Sequence, residues 1–198
     1  ENLKKPYPAI FKKIAANNGW MFTQEEQVDS IELLEFDFFR SRPIEYKMNV
    51  IGGDLKESNV DWEISDITFD EGAMLSKEVY KTTVQLVHLN REIPSFVLEQ
   101  EGIFDKIFDR VLSINPLDID FTSHPIFSKK LKLTGEDEKA VRSLFTAELL
   151  EFLESEEIYH IECNGRALII FKSLRIAKTG EIKNMVRFTK EFINHLGE

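Results

Sequence analysis

Short runs in which apolar and polar residues alternate are the feature that most constrains the fold of this chain. Apolar side chains recur at every second position at Tyr46, Met48 and Val50, and again at Val60, Trp62 and Ile64. A period of two places such residues on one face of a half-buried β-strand. Few residues separate the two runs, and hairpin-length connections favour antiparallel pairing over the long crossovers of a parallel sheet. The pattern therefore predicts an antiparallel sheet.

Further strands are predicted from the same alternation and from β-branched content. They cover residues 20–22, 34–38, 79–89, 96–98, 118–121 and 131–133. The alternation shifts by one position between Ile64 and Ile67, which predicts a bulge, and Gly52-Gly53 predicts a tight turn or another bulge. Asn164-Gly165 predicts a hairpin, because this pair tolerates the positive φ angles of a type I′ turn.

Helices are predicted where apolar residues recur at spacings of three and four. One begins at Pro8 and ends at Gly19, one covers residues 103–111, one follows the Thr134-Gly135-Glu136-Asp137 capping sequence, and one runs from Ile182 to Leu196. Thr146 is predicted to cap a fresh helix inside the third of these. The order is α-β(several)-α-β-β-α-β-β-α, so the predicted fold class is α+β, with helices packed on antiparallel sheet.

The length of 198 residues favours a single compact domain over residues 1–198. Asn115-Pro116 is the clearest internal seam, because this pair ends the helix predicted before it. A division there gives two intimate halves, a β-rich half of residues 1–114 and a ββαββα half of residues 117–198.

Composition argues against several classes of protein. The formal net charge of −10 disfavours nucleic-acid binding, because that affinity comes largely from basic residues. Cys163 is the single cysteine, which excludes an internal disulfide and a cysteine-built zinc site. The sequence has no run of about eighteen apolar residues, so we predict a location in the cytoplasm or at the cytoplasmic face of a membrane. Because the chain starts at Glu1 and not at a methionine, membrane anchoring through an upstream segment is a further expectation.

Charge is distributed unevenly along the chain. Residues 54–71 contain seven acidic residues and one lysine, for a net charge of −6, whereas residues 164–190 contain seven basic residues and one glutamate, for +6. Such polarity steers a protein partner, a membrane surface or a second copy of the chain. In the alternative interpretation, both segments are solvated faces that partly neutralise each other.

Asp118, Asp120 and His124 are the candidate metal ligands in the sequence. The two aspartates share one side of a predicted strand, and His124 follows closely enough to fold back towards them. Carboxylate and imidazole ligands suit hard or borderline divalent ions. In the competing interpretation, Ile119 and Phe121 face the core while the aspartates face water or cap a turn. We favour this second interpretation and predict no metal site.

The other reactive residues show no catalytic pattern. His88, His160 and His195 fall in separate predicted elements, and no nucleophile motif surrounds Cys163. Gly52-Gly53-Asp54 lacks the spacing of a phosphate-binding loop, and the serine-hydrolase and H-E-x-x-H motifs are absent. The sequence therefore predicts no catalytic residues and no cofactor.

Three segments carry a resemblance to known proteins: Asn18-Gly19-Trp20-Met21-Phe22, Ile93-Pro94-Ser95-Phe96-Val97-Leu98, and the stretch from Asp118 through Phe145 and Thr146. They resemble a broad family of uncharacterised bacterial proteins, and the resemblance spans most of the chain. It implies a domain that is often preceded by a hydrophobic, membrane-anchoring segment. It implies no established activity and supplies no catalytic residues.

Two classes of function follow from these observations. The first is a non-enzymatic protein-binding or assembly module whose polarised surface recognises a protein partner or a second copy, and the missing catalytic motifs favour it over an enzyme. The alternative is a metal-assisted hydrolase in which an ion held by Asp118, Asp120 and His124 activates water. A pocket for an apolar ligand, lined by some of the 16 phenylalanines, is not separable from core packing by sequence.

Overall fold

The computed structural model describes residues 7–26, 32–55, 60–70, 78–100 and 118–197. The helices in these ranges are α1 (Tyr7–Asn18), α2 (Asp37–Arg40), α3 (Pro125–Lys130), α4 (Glu138–Leu144), α5 (Ala147–Ser155) and α6 (Thr179–Leu196). The strands are β1 (Met21–Glu26), β2 (Ile44–Leu55), β3 (Val60–Asp70), β4 (Val79–His88), β5 (Phe96–Gln100), β6 (Leu131–Thr134), β7 (His160–Cys163) and β8 (Ala167–Phe171). A 3₁₀ turn at Leu33–Glu35 precedes α2.

The eight strands join one antiparallel sheet in the order β1-β2-β3-β4-β8-β7-β5-β6. The β7–β8 hairpin pairs with β4 on one side, where Gln85 lies opposite Ile170, and with β5 on the other, where Leu98 lies opposite Ile161. The sheet therefore interleaves strands from residues 1–114 with strands from residues 117–198. The predicted α+β class is confirmed.

One face of the sheet, called the helical face below, is covered by helices. Its hydrophobic cluster contains sheet residues such as Ile64 and Ile161 together with residues from five helices. These include Phe11 of α1, Phe127 of α3, Val141 of α4, Leu149 of α5 and Phe188 of α6. Full burial of each large apolar side chain stabilises the fold by about 1.5–3 kcal/mol, so this cluster holds the helices in place.

The other face, called the α2 face, is partly covered by the 3₁₀ turn and α2. Phe36, Phe38 and Phe39 are at most 1% exposed and pack on Phe69 and Phe171 of the sheet. The ring of Phe38 lies 4.7 Å from that of Phe171 and 5.5 Å from that of Phe69. These phenylalanines are therefore core residues.

Burial on both faces explains the change of phase in β3. The apolar residues up to Ile64 belong to the helical-face cluster, whereas Ile67 and Phe69 belong to the cluster on the α2 face. β3 pairs with β4 without a register shift. The bulge predicted for β3 lies instead in the neighbouring strand β2, at Asn49, whose φ angle is 54°.

Several other local predictions are wrong. Residues 34–38 form the 3₁₀ turn and the start of α2, not a strand, and Gly52-Gly53 lies inside β2, not in a turn. Residues 118–121 form no strand, although Asp118 and Ile119 are hydrogen-bonded to Leu133 of β6, and α3 intervenes before β6. The β7–β8 hairpin is present, but in the described chain Asn49 is the one non-glycine residue with positive φ, so the Asn164-Gly165 turn is not type I′.

The predicted Thr146 cap is confirmed, whereas the capping box predicted at residues 134–137 is not formed as such, because Thr134 ends β6 and Asp137 is itself the N-cap. The Asp137 side chain accepts a hydrogen bond from the Ala140 N–H at 3.0 Å and begins α4. The Thr146 hydroxyl accepts one from the Leu149 N–H at 3.4 Å and begins α5. The helix predicted over residues 103–111 and the seam at residues 115–116 lie outside the described residues.

Candidate functional site

Asp118 caps an edge of the sheet. Its Oδ1 accepts a hydrogen bond from the backbone N–H of Leu133 in β6, at 3.0 Å. The N–H of Ile119 donates to the carbonyl of Leu133 at 2.7 Å, and the Ile119 side chain is only 2% exposed. Strand edges expose amides that pair readily with other chains. The segment that begins at Asp118 therefore shields the outer edge of β6 and anchors itself through Ile119.

Asp120 and His124 have different contacts. The carbonyl of Asp120 accepts a hydrogen bond from Nη1 of Arg142 at 2.6 Å, and Nδ1 of His124 lies 3.0 Å from the hydroxyl of Ser123. Within the described ranges, no three His, Cys, Asp or Glu side chains form a group that could hold a metal ion. The structure does not bring Asp118, Asp120 and His124 together, and the hydrolase alternative gains no support from their geometry.

A different set of ionisable residues meets inside the molecule. Arg42, Glu99, His160 and Glu162 are 1%, 8%, 1% and 2% exposed, and we call them the buried ionic cluster. His160 and Glu162 are two residues apart in β7, so both side chains lie on one face of the sheet. β5 pairs with β7, with Val97 opposite Glu162, and this register brings Glu99 beside them.

Glu162 caps the start of α2. Its two carboxylate oxygens lie 3.2 and 3.1 Å from the backbone N–H of Phe38, which donates to them. No side chain at the N-cap residue, Phe36, performs this role. A carboxylate at a helix N-terminus satisfies a free N–H and interacts favourably with the local dipole. The cap of this short helix therefore comes from a residue 124 positions away in sequence.

His160 and Arg42 complete the cluster. Nε2 of His160 lies 2.7 Å from Oε1 of Glu162, and Nδ1 lies 3.9 Å from Oε2 of Glu99. Nη1 of Arg42 donates to the carbonyl of Phe38, and the guanidinium lies 4.7 Å from the centre of the Phe38 ring. Buried charges are costly unless they are paired and hydrogen-bonded. Here they bind both backbone polar groups of Phe38 and so fasten α2 to the sheet.

The same helix brings Asp37 close to Glu162. Burial is the main cause that raises the pKa of the Asp37 carboxyl, and repulsion from the Glu162 carboxylate raises it further. The cation of Arg40, 2.9 Å away, opposes this rise. The start of α2 is therefore a place where negative charge accumulates.

A second buried polar network, on the helical face, centres on Asp66. Its carboxylate accepts hydrogen bonds from the Thr83 hydroxyl at 2.6 Å and from Nδ2 of Asn49 at 2.8 Å. The Thr83 hydroxyl accepts a further bond from the Ala177 N–H at 2.8 Å. Burial raises the pKa of Asp66, although both side-chain hydrogen bonds oppose the rise. The network ties the β2 bulge and the loop before α6 to the middle of the sheet.

Cys163 and the other histidines occupy separate structural positions. Cys163 is 5% exposed, and burial raises the pKa of its thiol to about 11, so the reactive thiolate is scarce at neutral pH. Nε2 of His88 lies 2.6 Å from a carboxylate oxygen of Glu32, and the ring of His195 lies 4.9 Å from that of Phe152. These side chains do not converge on His160.

Ion pairs reduce the charge asymmetry that the sequence shows. In the basic segment, three cations bind carboxylates: Lys172 with Glu157 at 2.9 Å, Arg175 with Glu181 at 2.5 Å, and Arg187 with Glu156 at 2.6 Å. In the acidic segment, Glu63 pairs with Lys47 at 2.6 Å and Asp66 is buried. Part of the acidic segment lies outside the described residues. The charge asymmetry is therefore larger in the sequence than on the described surface of the protein.

The sequence predictions missed the buried ionic cluster. Glu162 lies between Ile161 and Cys163, a pattern typical of a strand with one wet face. A usable signal was the apolar run Ala167–Phe171, five residues long and typical of a strand covered on both faces. A strand that pairs with such a run must bury its own polar side chains, and β7 is that strand.

Comparison with known proteins shows a structural similarity but no sequence relative. No protein-family model matches the chain, and no curated protein matches it in sequence, so the predicted resemblance to a bacterial family stays a prediction. Among the helices of the described ranges, none combines the length and the apolar character needed to cross a membrane. The crystal structure of the mycobacterial trehalose monomycolate transport factor A, TtfA, superposes with a TM-score of 0.70 over 98% of this chain and 96% of that chain. The sequence identity is 13%, so this chain shares the fold of TtfA.

Proposed function

We propose that this domain is a non-enzymatic factor that acts by binding a protein partner. The observation that carries the proposal is the match to TtfA, which extends over nearly the whole of both chains. TtfA is named as a transport factor. Because one fold hosts many functions, the proposal needs support from this chain's own residues as well.

That support comes from the structural roles of the buried ionisable residues. Glu162 and Arg42 bind the backbone of Phe38, and Asp66 binds Asn49 and Thr83. Buried hydrogen bonds of this kind help to specify how a fold packs. Because these buried ionisable residues hold parts of the fold together, their role favours a scaffold that presents a surface to a partner. By analogy with TtfA, we place that partner among the components of a transport process.

The test is recovery of the partner from native cells. The tagged full-length protein is crosslinked in cells and purified, and an unrelated acidic domain of similar size, with the same tag, serves as the control. We expect one protein, or a small set, to be enriched over the control. The enriched protein, purified separately, is expected to form a complex of fixed stoichiometry with this chain by size-exclusion chromatography with light scattering.

Two results would contradict the proposal. The first is that no protein is enriched over the control, or that no enriched protein binds this chain when it is purified separately. The second is turnover of a small-molecule substrate by the purified protein, together with loss of turnover in a point variant that still folds.

A further inference from the structure

We infer that Asn18 is a site of spontaneous deamidation in the folded protein, whereas the fold protects Asn164 from the same reaction. The pair Asn-Gly occurs twice in the sequence, as Asn18-Gly19 and as Asn164-Gly165. Glycine favours this reaction because it has no Cβ to hinder the attack of its backbone nitrogen on the preceding side chain. The chain therefore offers the same chemistry in two different structural settings.

The reaction closes a ring between neighbouring residues. The backbone nitrogen of the glycine attacks Cγ of the asparagine, so that a C–N bond forms while the bond from Cγ to the side-chain nitrogen breaks. The proton of the backbone nitrogen passes through water to the side-chain nitrogen, which leaves as ammonia. Water then opens the succinimide at one of its two carbonyls and yields aspartate or isoaspartate. Because the reacting atoms are tethered, the step needs only that the backbone and the side chain rotate into line.

Few contacts restrain Asn18 from this rotation. It is the last residue of α1, and both Asn18 and Gly19 are exposed. The Gly19 N–H donates to the carbonyl of Ala16 at the long distance of 3.4 Å, and a Cβ built on Gly19 would meet no atom within 4 Å. Nδ2 of Asn18 donates to the carbonyl of Ile14 at 2.8 Å. These two hydrogen bonds lie at a helix end, where local opening needs little free energy.

Asn164 is restrained at more points. Gly165 is buried, its N–H donates to Sγ of Cys163 at 3.4 Å, and its carbonyl accepts from the Ile93 N–H at 3.0 Å. The N–H of Asn164 itself donates to the carbonyl of Ala167 at 3.1 Å. These bonds form the turn of the β7–β8 hairpin, which lies between β4 and β5 in the sheet. Ring closure at Asn164 therefore requires this turn to open.

The number of contacts sets the expected difference in rate. Opening of one ordinary hydrogen bond lowers the reactive population by up to about tenfold. At Asn164 several such bonds must open together in a buried turn, which lowers this population by about a hundredfold or more. The folded chain is therefore expected to deamidate first at Asn18.

Deamidation at residue 18 alters the connection between α1 and β1. The new carboxylate lies at the C-terminus of α1, where the helix dipole disfavours negative charge. In the isoaspartyl product, the main chain also becomes longer by one carbon just before Trp20. The Trp20 N–H donates to the carbonyl of Ala15 at 2.9 Å, and the Trp20 ring lies 4.9 Å from that of Trp62. The modification thus lengthens the backbone where these contacts turn the chain from the helix into the sheet.

The test follows isoaspartate formation at both asparagines of the full chain. The protein is incubated in mildly alkaline native buffer and, in parallel, in denaturing urea. Peptides with the sequences of residues 13–23 and 159–169 give the unrestrained rates. Isoaspartate is labelled with protein isoaspartyl methyltransferase and located by peptide mapping with mass spectrometry. Asn18→Gln and Asn164→Gln are the matched variants, and circular dichroism establishes that each one folds.

In native buffer, we expect Asn18 to react within about tenfold of the rate of its peptide, and Asn164 to react about a hundredfold more slowly than its own peptide. In urea, both asparagines should react at the peptide rates. Asn18→Gln should remove the isoaspartate formed in native buffer, and Asn164→Gln should leave it unchanged. The inference is overturned if Asn164 reacts as fast as Asn18 in native buffer, or if Asn18 reacts in urea but not in native buffer. Absence of reaction at Asn18 under both conditions would overturn it equally.

Discussion

Replacement of Glu162 tests whether a buried carboxylate holds α2 on the sheet. In Glu162→Ala, the Phe38 N–H loses both of its acceptor oxygens, and Nε2 of His160 loses the oxygen that lies 2.7 Å away. None of these groups gains water in exchange, because Phe38 is fully buried and His160 is 1% exposed. The substitution therefore leaves polar groups unsatisfied in a region of low dielectric constant.

The expected loss of stability is large. A hydrogen bond to a charged group contributes about 1.5–3 kcal/mol, and removal of one member of a buried ionic group typically costs about 3–5 kcal/mol. We expect Glu162→Ala to lie in the second range. Glu162→Gln keeps the size and one acceptor oxygen for the Phe38 N–H, so a loss of about 1–2 kcal/mol is expected. With a typical stability of about 5–15 kcal/mol, the domain remains folded in Glu162→Gln, and it remains folded in Glu162→Ala unless the wild type lies at the low end of that range.

The assay is urea unfolding followed by circular dichroism, combined with hydrogen exchange of the Phe38 amide by NMR. Glu191→Ala is the control, because it removes an exposed carboxylate from Arg187 while Glu156 remains bound to that arginine. Its effect should stay below about 0.5 kcal/mol. The reasoning is refuted if Glu162→Ala costs less than about 1 kcal/mol, or if exchange at Phe38 is no faster than in the wild type.

Three further predictions concern single residues. Asp118→Ala removes the acceptor of the Leu133 N–H and should lower the free energy of unfolding in urea by about 1 kcal/mol. Asp118→Asn keeps an acceptor and should cost less. Equal losses in the two variants would contradict the capping role of Asp118. The folded-state pKa of Asp66 is raised above 3.8, so its contribution to stability is present at low pH and is lost as the pH rises through the folded-state pKa. Asp66→Asn should therefore gain stability relative to the wild type as the pH of the urea series is raised above 3.8, and a difference that is constant with pH would refute this. Gly135→Ala places a Cβ 2.8 Å from a backbone oxygen and should cost about 1–3 kcal/mol, whereas Gly180→Ala meets open space and should be neutral or stabilising in thermal melts.

Elements determined by local periodicity could be predicted from sequence. The alternation in β3, the β-branched content of β4, the spacing of apolar residues in α1 and α6, and the Thr146 cap all place their signal within a few residues of the element itself. In such cases the residues that stabilise the element also form the sequence pattern, so the element can be predicted from the pattern.

Helix α2 could not be predicted in this way. The order of apolar and acidic residues from Leu34 to Phe38 matches a strand, and the helix is stabilised by a carboxylate from Glu162, 124 positions later. The buried ionic cluster has the same origin, because the pairing of β5 with β7 brings Glu99 to His160. Sheet register depends on all the strands together, and a single window of sequence does not contain it.

The central position of the β7–β8 hairpin has a consequence for biosynthesis. β4 and β5 follow each other in sequence, yet two strands from the last quarter of the chain separate them in the sheet. A nascent chain that ends before residue 160 therefore displays two unsatisfied strand edges, and pairing over such sequence distances is slow. The gap between β4 and β5 closes only when translation is nearly complete. Until β7 and β8 have been synthesised, the nascent chain is therefore prone to aggregation and in need of chaperones.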